Sequence, residues 1–382
     1  MSMTRFTTDV LDLLQADVDK TTAACCSEGS NDKKKKRTTT TVMLEKPRGL
    51  VNQSNYCYLN SIVQSLLFIP AFQKLLQRNN LPSGTTLLAS FQELFKIYQE
   101  EEKHLLDATS VHTALGRVMQ SRLHHQHAPE DQEDAQEFLT YILEALHWEL
   151  LPGNKSELAR ASPVTTETGW KEVCAKGTQV EKRVHQEEES PINRIFSGSM
   201  RVSSKSRTSP AQVIVEPFYC VTVDLLSQSA TSEVVISLED VLRKSFQVEH
   251  LEGGYRRQQQ IETCPRVLIL HVPRITYDAK EQEMKKILTP LDFPPELSLP
   301  SAKGIMQYAA RAVIYHHGRS AYGGHYSCAV QVDPDRWYFA DDRLINITNW
   351  ESVCCPTSSH KTPYLLFYES TTTINNSNGN GK

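Results

Sequence analysis

Apolar residues in this chain recur with two different periods, and the change between them divides it. In the first part they repeat at helical spacing. Leu59, Ile62, Val63, Leu66 and Leu67 follow Cys57 on one face of a helix. Leu87, Leu88, Phe91, Leu94, Phe95 and Tyr98 form a second such stripe. Ala135, Phe138, Leu139, Ile142, Leu143 and Leu146 form a third. From Ile195 onward strand patterns dominate, over residues 211–215, 218–224, 266–272, 308–315, 326–332 and 364–368. One short helix is expected within that half, over 238–246. Helices first and strands later predict the α+β class.

Segments without either period frame these elements. Residues 1–45 read as a disordered tail with a short helix over 10–14. Their basic run, Lys33-Lys-Lys-Lys-Arg37, reads as a solvated stretch or a nuclear import signal. Residues 152–190 are polar, begin Pro152-Gly-Asn154 and end in Glu187-Glu-Glu-Ser190, so a flexible insertion is expected there. Residues 370–382 read as a second tail. The folded domain is therefore expected over 46–369.

Composition narrows the class little. The 382 residues are 39% hydrophobic and 23% charged, with a formal net charge of −4. That charge gives no reason to expect nucleic-acid binding, and no apolar run of membrane-spanning length occurs. The N-terminus lacks the apolar stretch of a signal peptide. Nine cysteines, an odd number at irregular spacing, argue against a disulfide framework and for a reducing compartment, cytosol or nucleus.

Chemistry concentrates at three places. Cys57 stands at the start of the first helix, where the positive end of the macrodipole favours a nucleophilic thiolate. Gly323-Gly324-His325-Tyr326 joins two strands, and glycines there permit close backbone approach. A third strand ends in Asp341-Asp342. Taken singly these read as a small buried hydrophobe, a loop histidine and a solvated turn. Together, in the order Cys, His, Asp, they supply a thiol nucleophile, an imidazole base and a group that orients the imidazole. His124-His125-Gln-His127 reads as a polar loop rather than a metal cluster.

These residues resemble the signature boxes of the ubiquitin-specific proteases. Gly49, Leu50, Asn52, Asn55, Cys57, Tyr58, Asn60 and Gln64 match the first box, with Ser54 where a glycine is usual. Gly323, Gly324, His325, Tyr326, Trp337, Asp341 and Asp342 match the second. Gln132-Glu-Asp134-Ala-Gln136-Glu137-Phe138-Leu139 matches a third motif. Within the family the chain is most similar to the branch of ubiquitin carboxyl-terminal hydrolase 10, through Phe196-Ser-Gly198, Pro217-Phe218 and Tyr315-His-His-Gly318.

The resemblance implies a papain-like fold of thumb, palm and fingers, with the site between Cys57 and His325. It implies hydrolysis of the bond after the C-terminal glycine of ubiquitin, with no cofactor. Ubiquitin, ubiquitinated proteins and an adaptor protein are the implied partners. Cys57 would attack and His325 would act as base. Asp341 would orient His325, and the Asn52 amide would join the Cys57 backbone N–H in the oxyanion site. Asp134 and Glu137 would meet arginines of ubiquitin. Gly323 and Gly324 would line a channel too narrow for side chains, with Tyr326 beside it. Asp342 would help bind substrate or water.

Many members also hold a structural zinc in the fingers through two Cys-x-x-Cys pairs. No such pair occurs here, so no metal is expected. Val272-Pro-Arg-Ile275 also departs from the usual Leu-Lys-Arg-Phe. Two further readings stay open: a ubiquitin-binding module without catalysis, and a protease for another ubiquitin-like modifier.

Overall fold

The computed structural model describes residues 42–52, 55–78, 87–100, 106–114, 133–151, 166–173, 179–186, 188–206, 211–225, 235–355 and 360–371. The expected helix over 10–14, the Lys33–Arg37 run, the His124–His127 group and residues 372–382 lie outside them.

The helical part comes first. Helices α1 (Cys57–Leu67), α2 (Pro70–Leu76), α3 (Leu87–Gln99) and α4 (Ala135–Glu149) pack together. The buried residues of α3 are the six of its expected stripe. Leu87 and Leu88 would leave N–H groups orphaned at its start, and the Glu149 carboxylate of α4 accepts both, at 2.9 and 3.1 Å. Helix α1 departs from expectation. It is buried on every side rather than on one face. Its polar residues are therefore committed inward: the Ser61 hydroxyl donates to the Cys57 carbonyl, and the Gln64 amide to the Arg48 carbonyl.

The remaining elements are mostly strands. Strands β1 (Thr166–Val173) and β2 (Gln179–Gln186) precede a one-turn helix α5 (Asn193–Phe196). Then come β3 (Gly198–Lys205), β4 (Ala211–Phe218), β5 (Cys220–Thr222), β6 (Ile236–Ser237) and α6 (Leu238–Ser245). Strands β7 (Glu249–Leu251), β8 (Tyr255–Thr263) and β9 (Val267–His271) follow. A hairpin of β10 (Ile275–Asp278) and β11 (Glu283–Lys286) leads to β12 (Leu291–Asp292) and β13 (Glu296–Ser301). The last elements are β14 (Gly304–His317), β15 (His325–Asp333), β16 (Arg336–Asp341), β17 (Leu344–Thr348), α7 (Trp350–Cys354) and β18 (Lys361–Ser370).

Two sheets organise them. The larger has eight strands in the order β17-β16-β15-β14-β18-β9-β5, with β13 also paired to β14. Alternation along its strands feeds two cores. Ile314, Cys328, Leu365 and Phe367 face the helices. Val313, Ala329, Leu366 and Tyr368 face the opposite layer with α6. Burial on both faces explains why β18 reads as a continuous apolar run rather than an alternating one. Leu365→Ala would open the helix-facing core at a cost of about 2–5 kcal/mol.

The second sheet has six strands in the order β1-β2-β4-β3-β8-β7. Within the segment expected as a flexible insertion over 152–190, residues 166–173 and 179–186 form strands of this sheet. Strands β1 and β2 pair over eight residues each, and β2 joins β4 in parallel. The segment escapes a hydrophobic reading because this sheet has little core to fill. Among the described residues, Val213 and Val215 form a small buried cluster of the sheet's own, with Val184 and Ala211 against them, while Ile261 of β8 joins the core shared with α6. The expected tail also ends earlier than residue 45. Leu44 is buried, its N–H donates to the Gln73 side chain, and Val42 and Gln77 exchange two hydrogen bonds.

Candidate active site

The site lies where α1 meets strands β15 and β16. Cys57 is the first residue of α1 and is buried. His325 opens β15, and Asp341 closes β16. The imidazole Nε2 of His325 donates to Asp341 Oδ1 at 2.5 Å. The Cys57 thiol is its second partner. With Nε2 taken by Asp341, Nδ1 is the nitrogen left to serve the thiol. The Asp341 hydrogen bond, and then the one to Cys57, push His325 up to about 10. The same hydrogen bond holds the Asp341 carboxyl below its ordinary range.

Asp342 does a different job. Its Oδ2 accepts from Asn52 Nδ2 at 2.9 Å, and its Oδ1 from Asn60 Nδ2 at 2.7 Å. Its backbone carbonyl accepts from Leu50 N–H at 2.8 Å. It adopts a left-handed φ of 48°, a conformation aspartate tolerates better than most residues. Gly49 is required by the same junction, since a Cβ there would lie 2.5 Å from the Arg343 carbonyl oxygen. Asp342 thus clamps the loop before Cys57 and the second turn of α1 onto the end of β16. Asn52 is fixed at both ends: its Oδ1 accepts from Tyr56 N–H at 3.2 Å, and one of its two amide hydrogens goes to Asp342.

Next to this centre, a groove of about 390 Å³ runs between α4 and the larger sheet. Asp134, Glu137 and Tyr141 line one side, and His271, Arg274, Tyr326 and Tyr364 the other. Asp134 caps α4, accepting from the N–H groups of Gln136 and Glu137. Its other oxygen accepts from the Tyr364 hydroxyl at 2.5 Å, and the Tyr326 hydroxyl lies 3.5 Å away. The carboxylate therefore ties the helices to the sheet at the groove. Glu137 reaches outward, where it accepts from the Tyr141 hydroxyl at 2.6 Å. Arg274, in the stretch that departs from the family pattern, is fully buried. It donates to the Pro363 and Thr289 carbonyls, and burial pushes it down to about 9.

The two glycines before His325 differ from each other in their surroundings. A Cβ at Gly324 would clash with the His316 ring and lie 2.6 Å from the His317 carbonyl oxygen. Crowding there comes from the chain's own β14 rather than from a channel. A Cβ at Gly323 would meet nothing within 4 Å. Sequence reasoning gave no role to Asn60, Tyr364, His317 or Lys361, all of which border the site. Asn60 was visible as a motif position. His317 entered only as part of Tyr315-His-His-Gly318, and Tyr364 and Lys361 carry no local signal, because strand pairing alone brings them there.

Among the described residues, one group of histidine and carboxylate ligand atoms is compact enough for a metal ion: His325, Asp341 and Asp342. Their hydrogen bonds to one another, to Cys57 and to the two asparagines account for that closeness. Among the described residues, no single helix is long and apolar enough to cross a membrane.

Comparison with known proteins agrees with this geometry. Residues 48–368 match the family model described as ubiquitin carboxyl-terminal hydrolase. The chain is 31% identical to a probable ubiquitin carboxyl-terminal hydrolase 3 of Schizosaccharomyces pombe, over 85% of this chain and 74% of that one. It is 26% identical to ubiquitin carboxyl-terminal hydrolase 10 of Gallus gallus over 85% of this chain, and spans about half of that protein, 48%. Among solved structures, the SAGA Ubp8/Sgf11/Sus1/Sgf73 DUB module bound to ubiquitin aldehyde superposes with a TM-score of 0.64. Identity there is 18%, over 86% of this chain and 70% of that one. The likeness carries the fold: helices as thumb, larger sheet as palm, smaller sheet as fingers. The chain belongs to the ubiquitin carboxyl-terminal hydrolase family, the cysteine-type deubiquitinases.

Proposed function

We propose that Cys57, His325 and Asp341 hydrolyse the bond after the C-terminal glycine of ubiquitin in protein conjugates. The observation that carries this reading is the doubly engaged imidazole, with Asp341 on one nitrogen and the Cys57 thiol as its other partner. His325 takes the thiol proton, and the sulfur attacks the carbonyl carbon. The Cys57 backbone N–H at the helix start and the Asn52 side-chain amide supply the oxyanion donors. The tetrahedral adduct collapses, and His325 gives its proton to the leaving amine. Water then attacks the thioester with His325 as base and frees the ubiquitin carboxylate.

The groove between α4 and the palm takes the extended tail of ubiquitin. Its acidic rim at Asp134 and Glu137 suits a basic tail. Solved structures of the DUB module contain ubiquitin aldehyde and further subunits, which supports ubiquitin as a partner here and an adaptor protein beside it.

Turnover of a ubiquitin C-terminal fluorophore by the wild-type chain and by Cys57→Ala tests the reading. Wild type should turn over and also form an adduct with ubiquitin vinyl sulfone, while Cys57→Ala does neither. An adduct that persists in Cys57→Ala and maps to another cysteine would sink the assignment. Preference for a probe of another ubiquitin-like modifier would redirect the substrate class.

A further inference from the structure

The groove and the free edge of the larger sheet lie on opposite sides of the catalytic pair. The groove takes His271 from β9, Tyr364 from β18, His316 from β14 and Tyr326 from β15. His325 opens β15, and Asp341 closes β16, the next strand over. Beyond β16 stands β17, which among the described residues pairs with no other strand. A ubiquitin tail held in the groove ends its last glycine at Cys57. The leaving amine, and the protein attached to it, then stand on the β17 side.

Strand β17 is built as an open edge. Its sequence, Leu344-Ile-Asn-Ile-Thr348, has no charge and no proline, and its ladder to β16 runs without a bulge. Charges, prolines and bulges are the devices that ordinarily keep an edge strand from pairing. Ile345 packs on the helix-facing core and anchors the strand. Leu344 and Ile347 do not share that work, being 64% and 74% exposed. Leu344 is the register partner of Asp341 and so shares its face of the sheet. Ile347 lies on the other face, as alternation requires. The start of the strand is held in place, because Asp342 and Arg343 form the junction with Leu50 and Gly49 described above.

We propose that the edge of β17 is the acceptor subsite: the segment of the conjugated protein that carries the modified lysine adds to it as an extended strand. The proposal rests on the functional reading above and names the partner on the leaving side. The occupant follows from the covalent bond. Ubiquitin's tail fills the groove, and the isopeptide bond keeps the target chain at the opposite mouth, where β17 stands. Backbone pairing along an edge tolerates sequence change, while side chains at alternate positions select. An added strand sets apolar residues beside Leu344 on one face and Ile347 on the other. Targets whose modified lysine lies in an extended, apolar segment are therefore favoured over those with a polar, glycine-rich one.

The test compares two conjugates as substrates of the full chain. In each, ubiquitin is joined by an isopeptide bond to one lysine of a short peptide, flanked by valine and isoleucine in one and by glycine and serine in the other. Wild type should favour the apolar conjugate about three- to tenfold in kcat/KM, the worth of a partly buried aliphatic contact. Leu344→Ser should bring that ratio close to one, and Leu344→Met should keep it. N-methylation of alternate backbone amides in the apolar peptide should abolish the preference in one register and spare it in the other, since one row of N–H groups faces the edge. A wild-type ratio near one, a ratio that Leu344→Ser leaves unmoved, or a preference that neither methylated register loses overturns the proposal. If Leu344→Ser does not fold, Ile347→Ser is judged on the same ratio. A dimer of the free chain that Ile347→Ser dissolves would give the edge to a second copy and also overturn it. A wild-type chain inactive on the ubiquitin fluorophore would overturn the functional reading instead, whereas turnover of the fluorophore without preference between the conjugates overturns the subsite alone.

Discussion

The catalytic centre and the fingers sheet hold their shapes by opposite means. At the centre, side chains from distant parts of the chain lock onto one another. Asn52 and Asn60 reach Asp342 across 290 and 282 residues of sequence, and both contacts are partly buried. In the fingers, backbone pairing carries the architecture, and among the described residues the separate apolar cluster is Val213 and Val215 with their neighbours. A well-formed side-chain lock there is Arg201 on Glu262, at 2.7 and 3.2 Å. It is partly exposed, which limits it to about 1 kcal/mol or less. A network of buried polar groups is sensitive to losing any one member, whereas a ladder of backbone hydrogen bonds tolerates side-chain change. Single substitutions should therefore be severe at the centre and mild in the fingers.

The sharpest break comes at Asp341. Asp341→Ala should lower kcat/KM on a ubiquitin fluorophore by about 10²-fold or more, because the imidazole loses its orientation and its counter-charge. Asp341→Asn keeps an acceptor but not the charge, so it should retain measurable activity well above that of the alanine variant. Asp342→Ala comes next. It leaves Asn52 and Asn60 without their shared acceptor, so kcat should fall roughly 10- to 100-fold, within the range for a misplaced oxyanion donor. The pH dependence set by His325 should not move. If Asp342→Ala shifts that limb and Asp341→Ala does not, the two roles are exchanged.

A smaller effect concerns stability. His325 is raised to about 10 in the folded chain, against about 6.5 when unfolded. Its stabilisation is fully present below about 6.5 and is lost as pH rises through about 10. Melting temperature should therefore decline across that interval, and the decline should be shallower in Asp341→Asn. The smallest effect belongs to the fingers, which we propose stand without zinc. A strong chelator should leave the melting temperature unchanged, and purified protein should contain far less than one zinc per chain. Stoichiometric zinc, with unfolding on its removal, would reverse the contrast between the two regions.

How much of this was legible in the sequence follows the same division. The meeting of Cys57, His325 and Asp341 could be read because a nucleophile, a base and an orienting group call for specific residue types in a specific order. The helix stripes of α3 and α4 were legible because one face of each must be apolar. The hairpin of β1 and β2 was not, since strands that pair without filling a core leave no apolar alternation. The clamp made by Asp342 was also hidden. Sequence reasoning placed that carboxylate near substrate or water, whereas its partners Asn52 and Asn60 are chosen by how β16 abuts α1. Lys361 and His317 were missed for the same reason: only strand register puts them beside His325. The tail boundary was set too late because Val42 and Leu44 are held by glutamines of α2 rather than by an apolar pattern.

The span between Asn52 and Asp342 also has a consequence during synthesis. The thiol leaves the ribosome about 290 residues ahead of the clamp that completes its surroundings. At about 5–20 residues per second, that is an interval of roughly 15 to 60 seconds. Through most of it the nascent chain carries a cysteine with neither its base nor its clamp, so it has nothing with which to cut. Activity should switch on only after β16 has emerged and β14, β15 and β18 have closed the sheet behind it. The enzyme is thus latent while it is being made, through chain order alone.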